Sequence, residues 1–108
     1  MTQVTFSPYH EKNVFECTGH TGYSALGQDI LCSAVSCLCY TLDAYLQKAH
    51  EEGKIKDYSS VFREGFVNLS FEYADRYDFS EVREAVKALL FGFVLLEESY
   101  PDYIDTDL

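Results

Sequence analysis

The sequence predicts an α+β fold: one domain over residues 1–108, element order ββαββα, with two helices on a small, mainly antiparallel sheet. Three observations predict it. Apolar and polar residues alternate in short stretches, the period of a half-buried strand. In two long stretches the period lengthens to about 3.6, that of an amphipathic helix. A chain of 108 residues, 47% hydrophobic and 16% aromatic, suffices for one core and hardly more.

Val4 and Phe6 alternate with Gln3, Thr5 and Ser7, which predicts a first strand ended by Pro8. Val14 to Thr18, with Phe15 and Cys17 on one face, predicts a second, paired to the first as a hairpin. Gly19, Gly22 and Gly27 make residues 19–29 a loop with several points of backbone freedom. From Ile30 one broad apolar stripe follows: Ile30, Ala34, Leu38, Leu42, Tyr45 and Ala49, flanked by Leu31, Val35 and Leu46. Asp29 suits the amino-terminal cap of that helix, and Gly53 its terminator. Tyr58 to Phe62 and Phe66 to Tyr73 predict two more strands, joined at Arg63-Glu64-Gly65. Asp78, Ser80 and Glu81 mark the start of the second helix, whose inward stripe is Val82, Ala85, Val86, Leu89, Leu90, Phe93 and Leu96. Residues 101–108 read as an acidic tail.

Eight basic and 18 acidic residues give a net charge of −10. A surface that acidic repels phosphate backbones, which argues against nucleic acid as a partner and favours a basic protein or peptide. The longest apolar run, Ala88 to Leu96, falls well short of the roughly 18 residues a bilayer span needs. No membrane association is expected. Residues 1–8 carry no basic and apolar pattern of a signal peptide, so the four cysteines read as reduced thiols in a cytoplasmic protein.

At 100° per residue, Cys32 falls off the centre of the first helix's stripe, on the flank with Ser36, Cys39 and Asp43. It sits near the helix start, where the dipole favours thiolate and unpaired amides could hold an oxyanion. Helix phase alone leaves two readings open, a nucleophile and a small packed side chain. His20, 12 positions earlier at the end of the second strand, could reach the same sheet edge as general base. Spacing alone favours a solvated or capping histidine. Cys17, Cys37 and Cys39 form no Cys-x-x-Cys pair, so no metal site and no cofactor is expected.

The stretch Gly19-His20-Thr21-Gly22-Tyr23, then Gly27-Gln28-Asp29-Ile30-Leu31-Cys32-Ser33-Ala34-Val35-Ser36, closely resembles the signature of the ribosomal-processing cysteine proteases, the Prp family. Glu97-Glu98-Ser99-Tyr100 fits the end of the last helix, so the likeness spans the chain. The resemblance implies a homodimeric cysteine endopeptidase that removes a short amino-terminal extension from large-subunit ribosomal protein twenty-seven. By motif position Cys32 would be the nucleophile and His20 the general base, with Asp29 and Ser36 in supporting roles. Leu31 and Ser33 depart mildly from the valine and alanine frequent there. Asp29 has two readings, cap of the helix or orienter of His20, with capping the simpler. The loop bearing Gly19, Gly22 and Gly27 would close over bound peptide.

The second helix has a second apolar face, Phe91, Val94 and Leu95, which in so small a chain points to a dimer seam. Two further functions compete with the protease: a non-catalytic dimeric adaptor in ribosome assembly, and a thiol redox sensor using the same Cys32.

Overall fold

The computed structural model describes residues 1–9, 12–19, 27–74 and 76–108. Alternation decides which side of each strand meets the helices. Val4 in β1 (Thr2–Tyr9), Phe15 and Cys17 in β2 (Lys12–Thr18), and Leu69 and Phe71 in β4 (Phe66–Tyr73) share one face and are buried. Registers Val4↔Cys17 and Phe15↔Leu69 stack these side chains into a continuous apolar surface. The sheet order is β3-β4-β2-β1-β5, antiparallel except for the pair β1·β5. The expected α+β architecture is therefore present, with one strand added.

That strand, β5 (Ile104–Asp107), lies in the stretch expected to be an acidic tail. Four residues with a single aliphatic side chain give no alternation to read. The strand exists because Ile104 is fully buried beside Thr2 and because Glu97 receives its backbone. Thr106 donates its amide (2.7 Å) and its hydroxyl (2.8 Å) to the Glu97 carboxylate. The amide first, then the hydroxyl, hold Glu97 below the usual carboxylate pKa. A depressed carboxylate stabilises the fold above its unfolded pKa, and that contribution is lost as pH falls through the folded value. Between pH 7 and 3, the gap in urea midpoint between wild type and Glu97→Gln should narrow as the medium becomes acid. Parallel curves would mean the latch contributes nothing.

Pro8 does not end β1. Beyond Thr5 that strand has no β5 partner, so Pro8 sits on a free edge and no ladder bond needs its missing N–H. β3 (Ile55–Arg63) is longer than predicted because a bulge between Lys56 and Ser59 absorbs an irregular residue, Asp57, at φ 53°.

The helices cover one face of the sheet. α1 (Gly27–Glu51) ends in a Schellman motif: Lys54 N–H donates to the Ala49 carbonyl (2.9 Å) and Gly53 N–H to that of His50 (3.0 Å), with Gly53 at φ 75°. Its buried line is Leu31, Val35, Cys39, Leu42, Leu46 and Ala49. Ile30, expected in the core, is 68% exposed, and Cys39, expected on the flank, is buried. Apolar residues cover so much of this helix that period alone does not fix the stripe's centre; the sheet beneath it does. By length and composition Ile30–Glu51 could cross a bilayer, but here its stripe packs on the sheet as a core helix does. Tyr58 of β3 donates to the Asp43 carboxylate, tying the helix to the sheet's edge.

α2 (Arg76–Ser99) follows the predicted stripe, with Val82, Val86, Leu90 and Phe93 buried and Phe93 against Phe15 at 5.5 Å between ring centres. Full burial of each such side chain contributes about 1.5–3 kcal/mol. The helices touch closely at Gly92, where a Cβ would lie 2.7 Å from a Leu38 methyl. Phe91 and Leu95 point outward, as predicted.

Candidate active site

Strand order brings three chain segments to one end of the sheet. β2 finishes at Thr18 beside Phe66, the first residue of β4, and Gly19 N–H donates to the Gly65 carbonyl at 2.8 Å. The β3–β4 turn, the end of β2 and the first half of α1 enclose a cleft of about 440 Å³, within the range of ligand sites. Cys32 and Ser36 line it from the helix and Gly19 from the strand end.

Cys32 is half-buried, which places its sulfur on the wall and not in the core. It is the sixth residue of α1, because the helix starts at Gly27 and not at Ile30. Two expectations change with that start. The dipole acts mainly within the first turn, so its pull on Cys32 is weak. The amide of Cys32 faces the Gln28 carbonyl in the i→i−4 pattern and is not a spare oxyanion donor. Activation of the thiol therefore needs a side chain. Asp29 is likewise inside the first turn, not at the cap position. Gly27 belongs to the helix, while His20 and Gly22, with most of the expected gating loop, lie outside the described residues. Ser36 is exposed, one turn after Cys32.

Beneath the cleft, Cys17 and Cys39 are hydrogen-bonded to each other. That bond, then burial, pushes the Cys39 thiol far above its ordinary pKa, which keeps it protonated and inert. No cysteine is in a disulfide. Among the described residues, no group of three or more His, Cys, Asp or Glu is placed to hold a metal ion.

Phe62, Arg63 and Phe66, on the wall opposite α1, were not legible from the sequence, and Tyr40 meets them from two turns beyond Cys32 on that helix. Tyr40 and Phe62 stack at 4.8 Å and 1°, and the Arg63 guanidinium lies 5.9 Å from the centre of the Phe66 ring. All four line the cleft. The turn at Arg63-Glu64-Gly65 is visible as a turn, but only the pairing of β4 with β2 carries it to Cys32. A half-exposed thiol facing aromatic walls can accept an extended peptide and attack its carbonyl.

By fold and family the chain is a cysteine protease. Residues 1–105 match the sequence profile of the cysteine protease Prp, and the chain belongs to that family. Its fold is that of SMU.848 from Streptococcus mutans, at a TM-score of 0.68 and 24% identity over 99% of this chain and 92% of the other. The essential ribosomal processing protease Prp from S. aureus, in complex with a substrate peptide, gives a TM-score of 0.70 at 15% identity, covering 99% and 98%. The same enzyme with a covalently linked product peptide gives 0.72 at 16%, with the same coverage. No curated protein matches the chain.

Proposed function

We propose that this chain is an endopeptidase that removes the short amino-terminal extension of large-subunit ribosomal protein twenty-seven, with Cys32 as nucleophile and His20 as general base. The observation that supports this most is the position of Cys32 on the cleft wall, at the same sheet end as Gly19, whose next residue is His20. The His20 imidazole takes the thiol proton, and the sulfur attacks the scissile carbonyl. The tetrahedral intermediate collapses as imidazolium gives that proton to the leaving amine, the new amino terminus of the mature protein. Water then loses a proton to His20 and attacks the thioester. The extension leaves as a carboxylic acid and the thiol is restored. Asp29, in the first turn of α1, is the supporting carboxylate of this proposal, either orienting His20 or reaching back to the amides at the helix start. Ser36 supports the site from the next turn.

The net charge of −10 suits a basic ribosomal precursor and opposes RNA. Thiols without disulfides suit the cytoplasm. A second copy is the proposed cover for the outward face of α2, where Phe91 is 60% and Leu95 51% exposed. Incubation with a peptide spanning the junction of extension and mature protein should give two products, cut at the mature end. A junction peptide left intact by folded protein would reject this substrate.

A further inference from the structure

Cys17 and Cys39 are thiols that the peptide chemistry does not use. Alternation in β2 turns Cys17 to the same side as Phe15, towards the helices, and Cys39 lies on the buried line of α1. The two meet between the layers, 6% and 2% exposed, and hydrogen-bond to each other. Both also line the cleft, which opens them to small molecules that enter it. The bond from Cys39 holds the Cys17 thiol below its ordinary pKa, against the effect of burial, and Cys39 keeps its proton. Thiolate character on Cys17, the more exposed of the two, makes it the sulfur that an oxidant meets first. Two thiols alone make no metal site, and among the described residues no third His, Cys, Asp or Glu joins them in one.

We propose that Cys17 and Cys39 are a redox-switchable pair: hydrogen peroxide entering the cleft joins them in a disulfide that draws α1 towards β2 and weakens peptide binding. The Cys17 sulfur attacks peroxide, the O–O bond breaks, and Cys17 becomes a sulfenic acid as hydroxide leaves and is protonated to water. The Cys39 sulfur then attacks that of Cys17 and the S–O bond breaks. The proton that Cys39 held against Cys17 departs with the hydroxyl as a second water, so Cys39 need not ionise beforehand. Two thiols have lost two electrons, and peroxide has been reduced to two waters. A dithiol reductant reverses the bond by exchange. Closure brings the sulfurs from van der Waals contact to about 2 Å, which pulls the helix inward at Cys39. Tyr40 follows directly, its ring stacked on Phe62 at 4.8 Å. Moving the helix at this point disturbs that stack, and with it the aromatic wall of the cleft. The weakened binding rests on the peptide assignment above; the disulfide does not.

The test uses the full chain carrying Cys32→Ala and Cys37→Ser, in which Cys17 and Cys39 are the remaining thiols and bound peptide is not cut. Treated with hydrogen peroxide while folded, it should lose both free thiols and the mass of two hydrogens, and regain both with dithiothreitol. Thiols that survive peroxide, an added oxygen without loss of hydrogens, or a bond linking two chains would overturn the proposal. If this variant does not fold, fragmentation of linked peptides from the oxidised wild type reads the same bond. A link from Cys17 to Cys39 supports the pair, and a link that contains Cys32 in place of either rejects it. Binding of the junction peptide to the reduced and oxidised forms then tests the switch. The oxidised form should bind several-fold more weakly, and equal affinity would refute the switch even where the disulfide forms. A reduced form that does not bind the peptide rejects the substrate assignment instead, while the pair still stands or falls by its thiols and mass.

Discussion

Cys32→Ala should lose turnover of the junction peptide by on the order of 10³-fold or more while the protein folds and assembles as wild type. The size of the loss follows from the chemistry. Without sulfur no thioester forms, and what remains is binding and whatever polarisation the cleft gives a carbonyl. The absence of a folding penalty follows from position. Cys32 is half-buried on a cleft wall, so truncation opens no cavity in the core of the kind that costs several kcal/mol. Cys37→Ser is the matching control. That thiol is exposed and does not line the cleft, so its loss should leave the initial rate unchanged. Turnover near wild type in Cys32→Ala would remove it as nucleophile.

The proposed dimer seam on α2 is tested by the double change Phe91→Lys with Leu95→Lys, which should leave only monomers. Both side chains stand outward from α2, 60% and 51% exposed, on the side away from Phe93 and the sheet. Two charges placed in a desolvated seam cost several kcal/mol each unless paired. Lysine is the more stringent choice, because it reduces a net charge of −10 and so does not dissociate the protein by general repulsion. The inward stripe is untouched, so thermal stability of the separated chain should reflect only the lost partner. Sedimentation velocity reads the outcome directly. A species unchanged by both lysines would mean that this face is not the seam.

What the sequence reveals depends on how local the cause is. Strand faces and the α2 stripe are set by near neighbours, and Phe15, Cys17, Val86 and Phe93 are buried as their alternation or period requires. The end of α1 is similarly local: one glycine at positive φ closes it. The start of α1 was misplaced because Asp29 satisfies two rules at once, as a cap and as a first-turn acid, and only the second applies. Within that helix, apolar side chains on nearly every face hide the stripe's centre, so Ile30 and Cys39 exchanged places. β5 was invisible because its cause lies elsewhere, in the free edge of β1 and in the carboxylate of Glu97.

The same division applies to the site. Cys32 and Ser36 were legible because they lie one turn apart on one helix, and both reach the cleft. Phe62, Arg63 and Phe66 were not, since their approach depends on strand order across the sheet, whereas Tyr40, one turn beyond Ser36 on the same helix, was overlooked although its spacing could have shown it. Nor does any local pattern announce that Gly19 abuts Met1, 18 positions away. The motif marks a glycine there; the contact supplies a reason for it.

The central claim is that Cys32 is acylated by its peptide. Rapid acid quench of enzyme mixed with the junction peptide, followed by mass spectrometry of a proteolytic digest, tests it most directly. The account predicts a transient adduct with the mass of the extension less one water, carried by the fragment that contains Cys32. It should be missing from Cys32→Ala and decay at the rate at which free extension appears. An adduct on another residue, or cleavage that proceeds with no adduct at any quench time, would contradict the account.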